Sequence, residues 1–380
     1  MPQTKADILV VGAGLAGAVY ARELADAGWR VTIIDRRPHI AGNCFDEVDG
    51  NGVRVHRYGP HLFHTSNQSV VDWLSRFTAW VPYEHRVVAR LGDGRLAPLP
   101  VNLDTVNTVF GKTFVSAAET EAFLAEIAER PERIETAEDH LYSVIGRELT
   151  ELFFRPYTKK MWEMDLAEMA PAVVRRLKVR PDRDPRYFAG DTFQAMPKDG
   201  YTAMFAAILD HPSITVELGR AFDRSDVAGF GHVFNSMPID EYFDFAFGEL
   251  PYRSIRFHTS SVAAAEASSH VVVNYTDDGP FTRETWWHNI PAHCPVPGAM
   301  VTRTIEEPCD YRDNDMERYY PVKSHDGRYD ALYERYKARA ADEGGMTFIG
   351  RCGTYQYLDM HQVVNQSLAG VGRWMSRVVV

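Results

Sequence analysis

The 380-residue chain is predicted to be an α/β protein, on three observations. Residues 7–35 read as strand, glycine-rich turn, helix and strand. Helical spacing dominates from about 102 to 168. Beyond Pro171, β-rich runs interrupted by proline take over. With 45% apolar and 24% charged residues, the chain can bury more than one compact core.

In order along the chain, "DILVV" and "RVTIID" are apolar runs of strand length, and the Ala/Leu-rich stretch between them, ending at Gly28, is a helix. Residues 83–100 read as a hairpin, because two extended runs flank "GDG". In the helical region Phe123, Leu124 and Ile127 share one face, and Leu141, Val144, Ile145 and Leu149 share another. "HVVVNY" (270–275) and "GAMVTRT" (298–304) are strands, expected in an antiparallel sheet. "MTFIG" (346–350) is a buried strand. After a polar loop, Val364, Leu368 and Val371 mark the face of a last helix.

A formal charge of −11 argues against a partner such as nucleic acid or an anionic membrane, though a local basic pocket can still hold an anion. The sequence has no run of about 18 apolar residues and no basic start followed by a cleavage site, which predicts a cytoplasmic protein. Cys44, Cys294, Cys309 and Cys352 lack CxxC spacing and suggest neither a zinc site nor a disulfide framework. "HRYGPHLFHT" (56–65) holds three histidines, but no acidic or cysteine partner accompanies them and Gly-Pro favours a loop, so no metal is expected there.

Gly12, Gly14 and Gly17 follow the first strand and open the first helix. The first permits a tight turn, the second lets the backbone approach a pyrophosphate, and the third lets helix and strand pack closely. Asp35 ends the second strand, 21 residues after Gly14, where a carboxylate can accept a ribose hydroxyl. The basic, glycine-ended segment "RRPHIAGN", with Arg36, Gly42 and Asn43, is typical of proteins that hold FAD rather than NAD.

These blocks, with "YGPHLFHT", "FFRPYTKKMW", "YFDFAFGELPYRS", "NYTD", "FTR", "YYPV" and "YQYLDMHQV", make the chain resemble the bacterial UDP-galactopyranose mutases from about residue 7 to 376. The resemblance implies a Rossmann-like FAD domain assembled from 1–78, 198–236 and 343–380, a helical subdomain at 102–168, and an antiparallel sheet domain from 79–101, 169–197 and 237–342. It implies an isomerase that interconverts pyranose and furanose nucleotide sugars without net redox change, the N5 atom of reduced FAD attacking the anomeric carbon. An external reductant such as NAD(P)H or a reductase, and a homodimer, follow from the same resemblance.

Residue by residue, the resemblance makes Arg180 and Arg283 a clamp on the diphosphate, since a guanidinium binds phosphate oxygens in bidentate fashion. Tyr187, Tyr319, Tyr320 and Tyr355 supply hydrogen bonds to phosphate and sugar. Phe153, Tyr157 and Trp162 grip the nucleotide, with Tyr157 stacking on the base. Arg351, Asp359 and Met360 run past the flavin, with Asp359 equally readable as a helix N-cap. His61 is placed at the reactive ring edge, His64 shapes the pocket, and His56 is structural.

The chain also departs from the family. Trp286 and Trp287 stand where a glutamate is usual. Thr304 falls on a second acidic position unless a shift of two brings in Glu306. Phe193 replaces a tyrosine, Pro156 a glycine, and Pro60 a smaller residue. These departures are expected to cluster around the sugar and phosphate, pointing to a variant sugar or a different nucleotide. Two other readings share the framework: an FAD-dependent oxidoreductase of the amine oxidase type, and a degenerate homologue that only binds.

Overall fold

The computed structural model describes residues 7–175, 179–296 and 298–378. Strand β1 (Ile8–Val11), helix α1 (Leu15–Asp26) and strand β2 (Val31–Asp35) form the expected βαβ unit. Every residue of β1 is buried, as both faces of a parallel strand must be when helices cover them. The sheet is five-stranded and parallel, in the order Ile214–Leu218, β2, β1, His232–Asn235, Met346–Phe348. Its strands come from three distant stretches of sequence. The core beneath it joins α1 to the helix Tyr201–Leu209 and to the C-terminal helix Met360–Val378, whose Val364 and Val371 face inward as their spacing requires.

A second sheet has seven strands, in the order Tyr320–Pro321, Tyr252–Ala263, Met300–Asp310, Arg283–Trp286, Val272–Tyr275, Val87–Arg90, Leu96–Leu99. Its last two strands are the predicted hairpin. The sheet is antiparallel except where Val272–Tyr275 pairs with Val87–Arg90 in parallel. A parallel neighbour needs a long crossover. Here the chain leaves at Leu99, builds the helical region, rejoins the sheet at Tyr252, and lays a strand beside Val87–Arg90 at Val272.

The helices Leu103–Phe110, Ala117–Ile127 and Ala137–Leu149 are each opened by a capping box, at Asn102, Ser116 and Thr136. Leu124, Leu141, Ile145 and Leu149 pack with Phe153 and Phe154 in one core. Val144 does not join them: it lies one residue step, about 100°, from Ile145 and is exposed. The expected polar loop before the last helix starts instead with a short helix, Gly350–Gly353. Among the described residues no helix is long and apolar enough to cross a membrane.

The histidine segment is a loop, as Gly-Pro predicts, held at both ends by strands. Arg54–His56 pairs with Asp46–Val48, and Phe63–Thr65 pairs with Phe193–Pro197.

Candidate active site

One cavity of about 1040 Å³ runs from the glycine turn after β1 to the helical region. That exceeds the usual range for one small ligand and leaves room for a cofactor and a substrate together. At the first end each glycine answers to a different constraint. Gly12 has φ +97°, and a Cβ on Gly17 would lie 1.9 Å from the carbonyl oxygen of Gly12. A Cβ on Gly14 would meet nothing closer than the Cα of Gly42 at 3.8 Å. The protein therefore has no packing need for glycine at 14, and the space left bare belongs to the cavity. Asp35 accepts the N–H of Ala13 (2.8 Å) and of Arg37 (2.9 Å), splinting the turn while it lines the cavity beside Arg36, Gly42 and Asn43. These residues fit the dinucleotide that the fingerprint predicts.

At the other end Arg180 and Arg283 both face the cavity, together with Phe153, Tyr157, Trp162, Tyr187 and Tyr320. The Nη2 of Arg180 donates to the carbonyl oxygen of Arg186 (2.6 Å) and its Nη1 lies 3.5 Å from Asp184 Oδ2, an ion pair without a hydrogen bond, while its buried Nε has no hydrogen-bond partner among the described residues. Arg283 Nε lies 2.8 Å from Glu306 Oε2, an ion pair without hydrogen-bond alignment, and Glu306 Oε1 is buried with no partner among the described residues. Burial opposes the Arg283 charge, but Glu306 outweighs it and holds the guanidinium protonated. Buried guanidinium nitrogens without hydrogen-bond partners, on two half-buried arginines that face one cavity, are what an anion requires. Arg351 lies over the rings of Tyr320 (5.5 Å) and Tyr357 (5.1 Å), and the Trp162 ring meets both edge-on, closing an aromatic box. Burial pushes the Tyr157 phenol up to about 12.

Between the two ends lies the histidine loop. The ring of His61 shares its Nδ1 with the carbonyl oxygen of Gly59 (2.9 Å), and burial lowers it to about 4, so it is neutral at pH 7. His56 is core: it packs against Tyr201, Trp287 and His293, and its Nδ1 accepts the N–H of His61 (3.0 Å). His64 does have acidic neighbours, contrary to the sequence reading. Its Nδ1 is 2.6 Å from Asp191 Oδ2, and one ligand-type atom each of His64, Asp359 and His361 lie within 4.8 Å of one another. Sequence separation hid this, because Asp191 and Asp359 arrive from distant segments. Met360 lines the cavity and accepts from Cys44 Sγ at 3.8 Å.

Two expected site residues do not reach the cavity. Adjacent residues of an extended segment point to opposite sides. Tyr320 therefore faces the cavity while Tyr319 packs a layer behind it, against Tyr58 and Phe257, giving only its carbonyl oxygen to Arg351 (2.7 Å). Tyr355, at φ +48°, is fully buried and donates its hydroxyl to the carbonyl oxygen of Val322 (2.6 Å); Tyr357 takes the cavity position. Sequence reading also missed Tyr58, Asn274 and Glu317, the last of which pairs with Arg36 and Arg37. Of the two residues weighed for the second acidic position, Glu306 lines the cavity, whereas Thr304 is buried and accepts from Trp287 Nε1 (2.8 Å). Trp286, Trp287, Phe193 and Pro156 do not line the cavity either, so the departures do not cluster around it. Pro60 alone among them faces it.

A dinucleotide cradle opening onto a compartment of arginines and edge-on aromatics defines the class: an α/β protein built around a nucleotide cofactor, with a second compartment in the same cavity. Comparison with known proteins narrows it. A family model described as UDP-galactopyranose mutase matches residues 152–357, and one described as an NAD(P)-binding Rossmann-like domain matches 10–77. The probable UDP-galactopyranose mutase of Klebsiella pneumoniae is 38% identical over 375 residues, 98% of this chain and 95% of that protein. The dTDP-fucopyranose mutase of Escherichia coli is 36% identical over 370 residues, 95% of this chain and 96% of that protein. A crystal structure of reduced UDP-galactopyranose mutase superposes with a TM-score of 0.76 at 16% identity, covering 99% of this chain and 97% of that one. A putrescine oxidase variant reaches 0.58 at 12% identity, covering 98% and 99%, which is a likeness of fold alone. The chain belongs to the UDP-galactopyranose mutase family, a family of isomerases.

Proposed function

We propose that the protein interconverts the pyranose and furanose forms of a nucleotide sugar on reduced FAD, with no net redox change. The observation that carries this reading is the pair Arg180 and Arg283, with unspent donors, in the same cavity as the dinucleotide cradle. Reduced flavin, when bound, supplies a nucleophile at the anomeric carbon and leaves unchanged. The chain's own residues do the rest. Arg180 and Arg283 hold the diphosphate while it is detached, so that its return is effectively intramolecular. Glu306 keeps Arg283 in place between turnovers. Tyr157 stacks on the base, with Phe153 beside it, and Tyr187 adds a hydroxyl near the phosphates.

Tyr320, Tyr357, Trp162 and Arg351 enclose the sugar. His61, neutral and fixed by Gly59, offers a hydrogen bond at the flavin without adding charge. The N-terminus of the helix starting at Met360, with Asp359 before it, brings a partial positive charge to the pyrimidine end of the reduced ring. On this reading the FAD domain comprises 1–78, 198–236 and 343–380, the helical subdomain 102–168, and the sheet domain the remainder. The enzyme works in the cytoplasm as a homodimer supplied by an external reductant.

With all of the departures but Pro60 outside the cavity, UDP-galactose is the first substrate to test and a dTDP-linked deoxyhexose the second. The test is chromatography of products after incubating dithionite-reduced protein with UDP-, dTDP- and GDP-linked hexoses. A furanose from at least one of them is expected, and none from any would overturn the reading.

A further inference from the structure

Ring opening and reclosure move protons, and nothing assigned so far moves them. Breaking the C1–O5 bond leaves its electron pair on O5, which must gain a proton. Reclosing through O4 forms the C1–O4 bond and releases one. A single group that gives the first proton and takes the second ends as it began, with no co-reactant. We propose that His64 is this group and that Asp191 is its positioning carboxylate, an inference that rests on the mutase reading.

Three contacts fix the His64 ring. Phe188 stacks on it at 3.5 Å with planes 8° apart, the His361 ring meets it edge-on at 5.2 Å, and Nδ1 bonds Asp191 Oδ2 at 2.6 Å. Asp191 is itself held, its Oδ1 accepting from Ser66 Oγ at 3.2 Å. His64 lies in the strand Phe63–Thr65, opposite Gln194, and the turn just before Gln194 delivers Asp191 back to the imidazole. With Nδ1–H committed to a carboxylate, Nε2 is the free proton site. The half-buried carboxylate fixes the ring's orientation and tautomer, the arrangement by which a carboxylate positions an imidazole as an acid–base catalyst.

The competing groups are worse placed. Burial drives the phenols of Tyr157 and Tyr320 upward and holds His61 down at about 4. Glu306 is paired with Arg283. The other titratable groups facing His64 are His85, from the segment before Val87, and Asp359 and His361, at the head of the last helix. Burial lowers both of these histidines, His85 to about 3, so neither competes for the proton at neutral pH.

The test uses reduced holoenzyme and a nucleotide sugar carrying heavy oxygen in the bond between anomeric carbon and diphosphate. Detachment of the diphosphate scrambles that label whether or not the ring opens. In Asp191→Asn and His64→Gln, furanose formation should fall on the order of 100-fold or more while label scrambling falls far less. Asp191→Glu, which keeps a carboxylate within reach of the ring, should restore part of the furanose rate without changing label scrambling. Bound flavin per chain, read from absorbance, should not change. Equal losses of scrambling and furanose, or a wild-type rate of furanose formation in either variant, would overturn the shuttle. Absence of furanose from the unaltered protein would overturn the mutase reading and the shuttle with it.

Discussion

Gly14 and Gly17 stand three residues apart in one turn and answer to different partners. A methyl group at 17 collides with the Gly12 carbonyl, which is rigid backbone, whereas one at 14 has open space in the protein. Gly17→Ala should therefore lose folded protein. Gly14→Ala should keep its melting temperature without cofactor yet bind FAD at least tenfold more weakly, as fluorescence titration would show. At Tyr157 the ring matters more than the hydroxyl. Replacement by alanine should raise KM roughly 5- to 150-fold, the equivalent of about 1–3 kcal/mol of stacking, while replacement by phenylalanine should leave KM within about threefold. At this scale the sequence is legible in placement, since the three glycines and both arginines it singles out all line the cavity. It misleads where type is silent about direction. Tyr319 and Tyr320 are neighbours that cannot face one cavity, and strand alternation was the available signal. Between Tyr355 and Tyr357 no local signal existed, because the left-handed turn at Tyr355 decides which of them points inward.

The elements that frame the site depend on caps more than on propensity. The helix Tyr201–Leu209 has no cap of its own, since Gly200, at φ +86°, precedes it. Its first N–H groups, those of Tyr201 and Thr202, are taken by the buried carboxylate of Asp46 from another strand, each at 2.8 Å. Asp46→Ala should cost about 1–3 kcal/mol in urea unfolding of the holoprotein, more than an exposed cap would. The short strand carrying Asp46 begins just beyond the Gly42–Asn43 segment of the cofactor cradle, so the same change should also weaken FAD binding. Elements whose pattern is local, such as the βαβ unit, the hairpin and the last helix, were readable from spacing alone. The parallel pairing of Val272–Tyr275 with Val87–Arg90 was not, because its partners are separated by the whole helical excursion and no local pattern encodes which strand neighbours which.

The molecule as a whole keeps several imidazoles neutral. Burial lowers His56 well below 6.5, His61 and His293 to about 4, and His85 to about 3. Unfolding frees these rings to protonate near 6.5, so their contribution to stability is complete above that pH and is lost as the pH falls toward 4. Melting temperature should hold steady from pH 8 to 7 and drop continuously below about 6.5; a flat profile down to pH 5 would contradict the burial of this cluster. The same convergence explains what the chain hides. The cavity takes residues from the glycine turn, the histidine loop, the helical region, the seven-stranded sheet and the last helix, and only ordered motif blocks, not periodicity, announce that these meet. The central claim is isomerisation on reduced flavin without net electron transfer. The most direct measurement is the moles of furanose formed per mole of reducing equivalent consumed, under anaerobic conditions, from the nucleotide sugar that turns over best. The account predicts many turnovers for each equivalent and no loss of the reduced flavin spectrum; a ratio at or below one, or bleaching of oxidised flavin by the sugar itself, would contradict it.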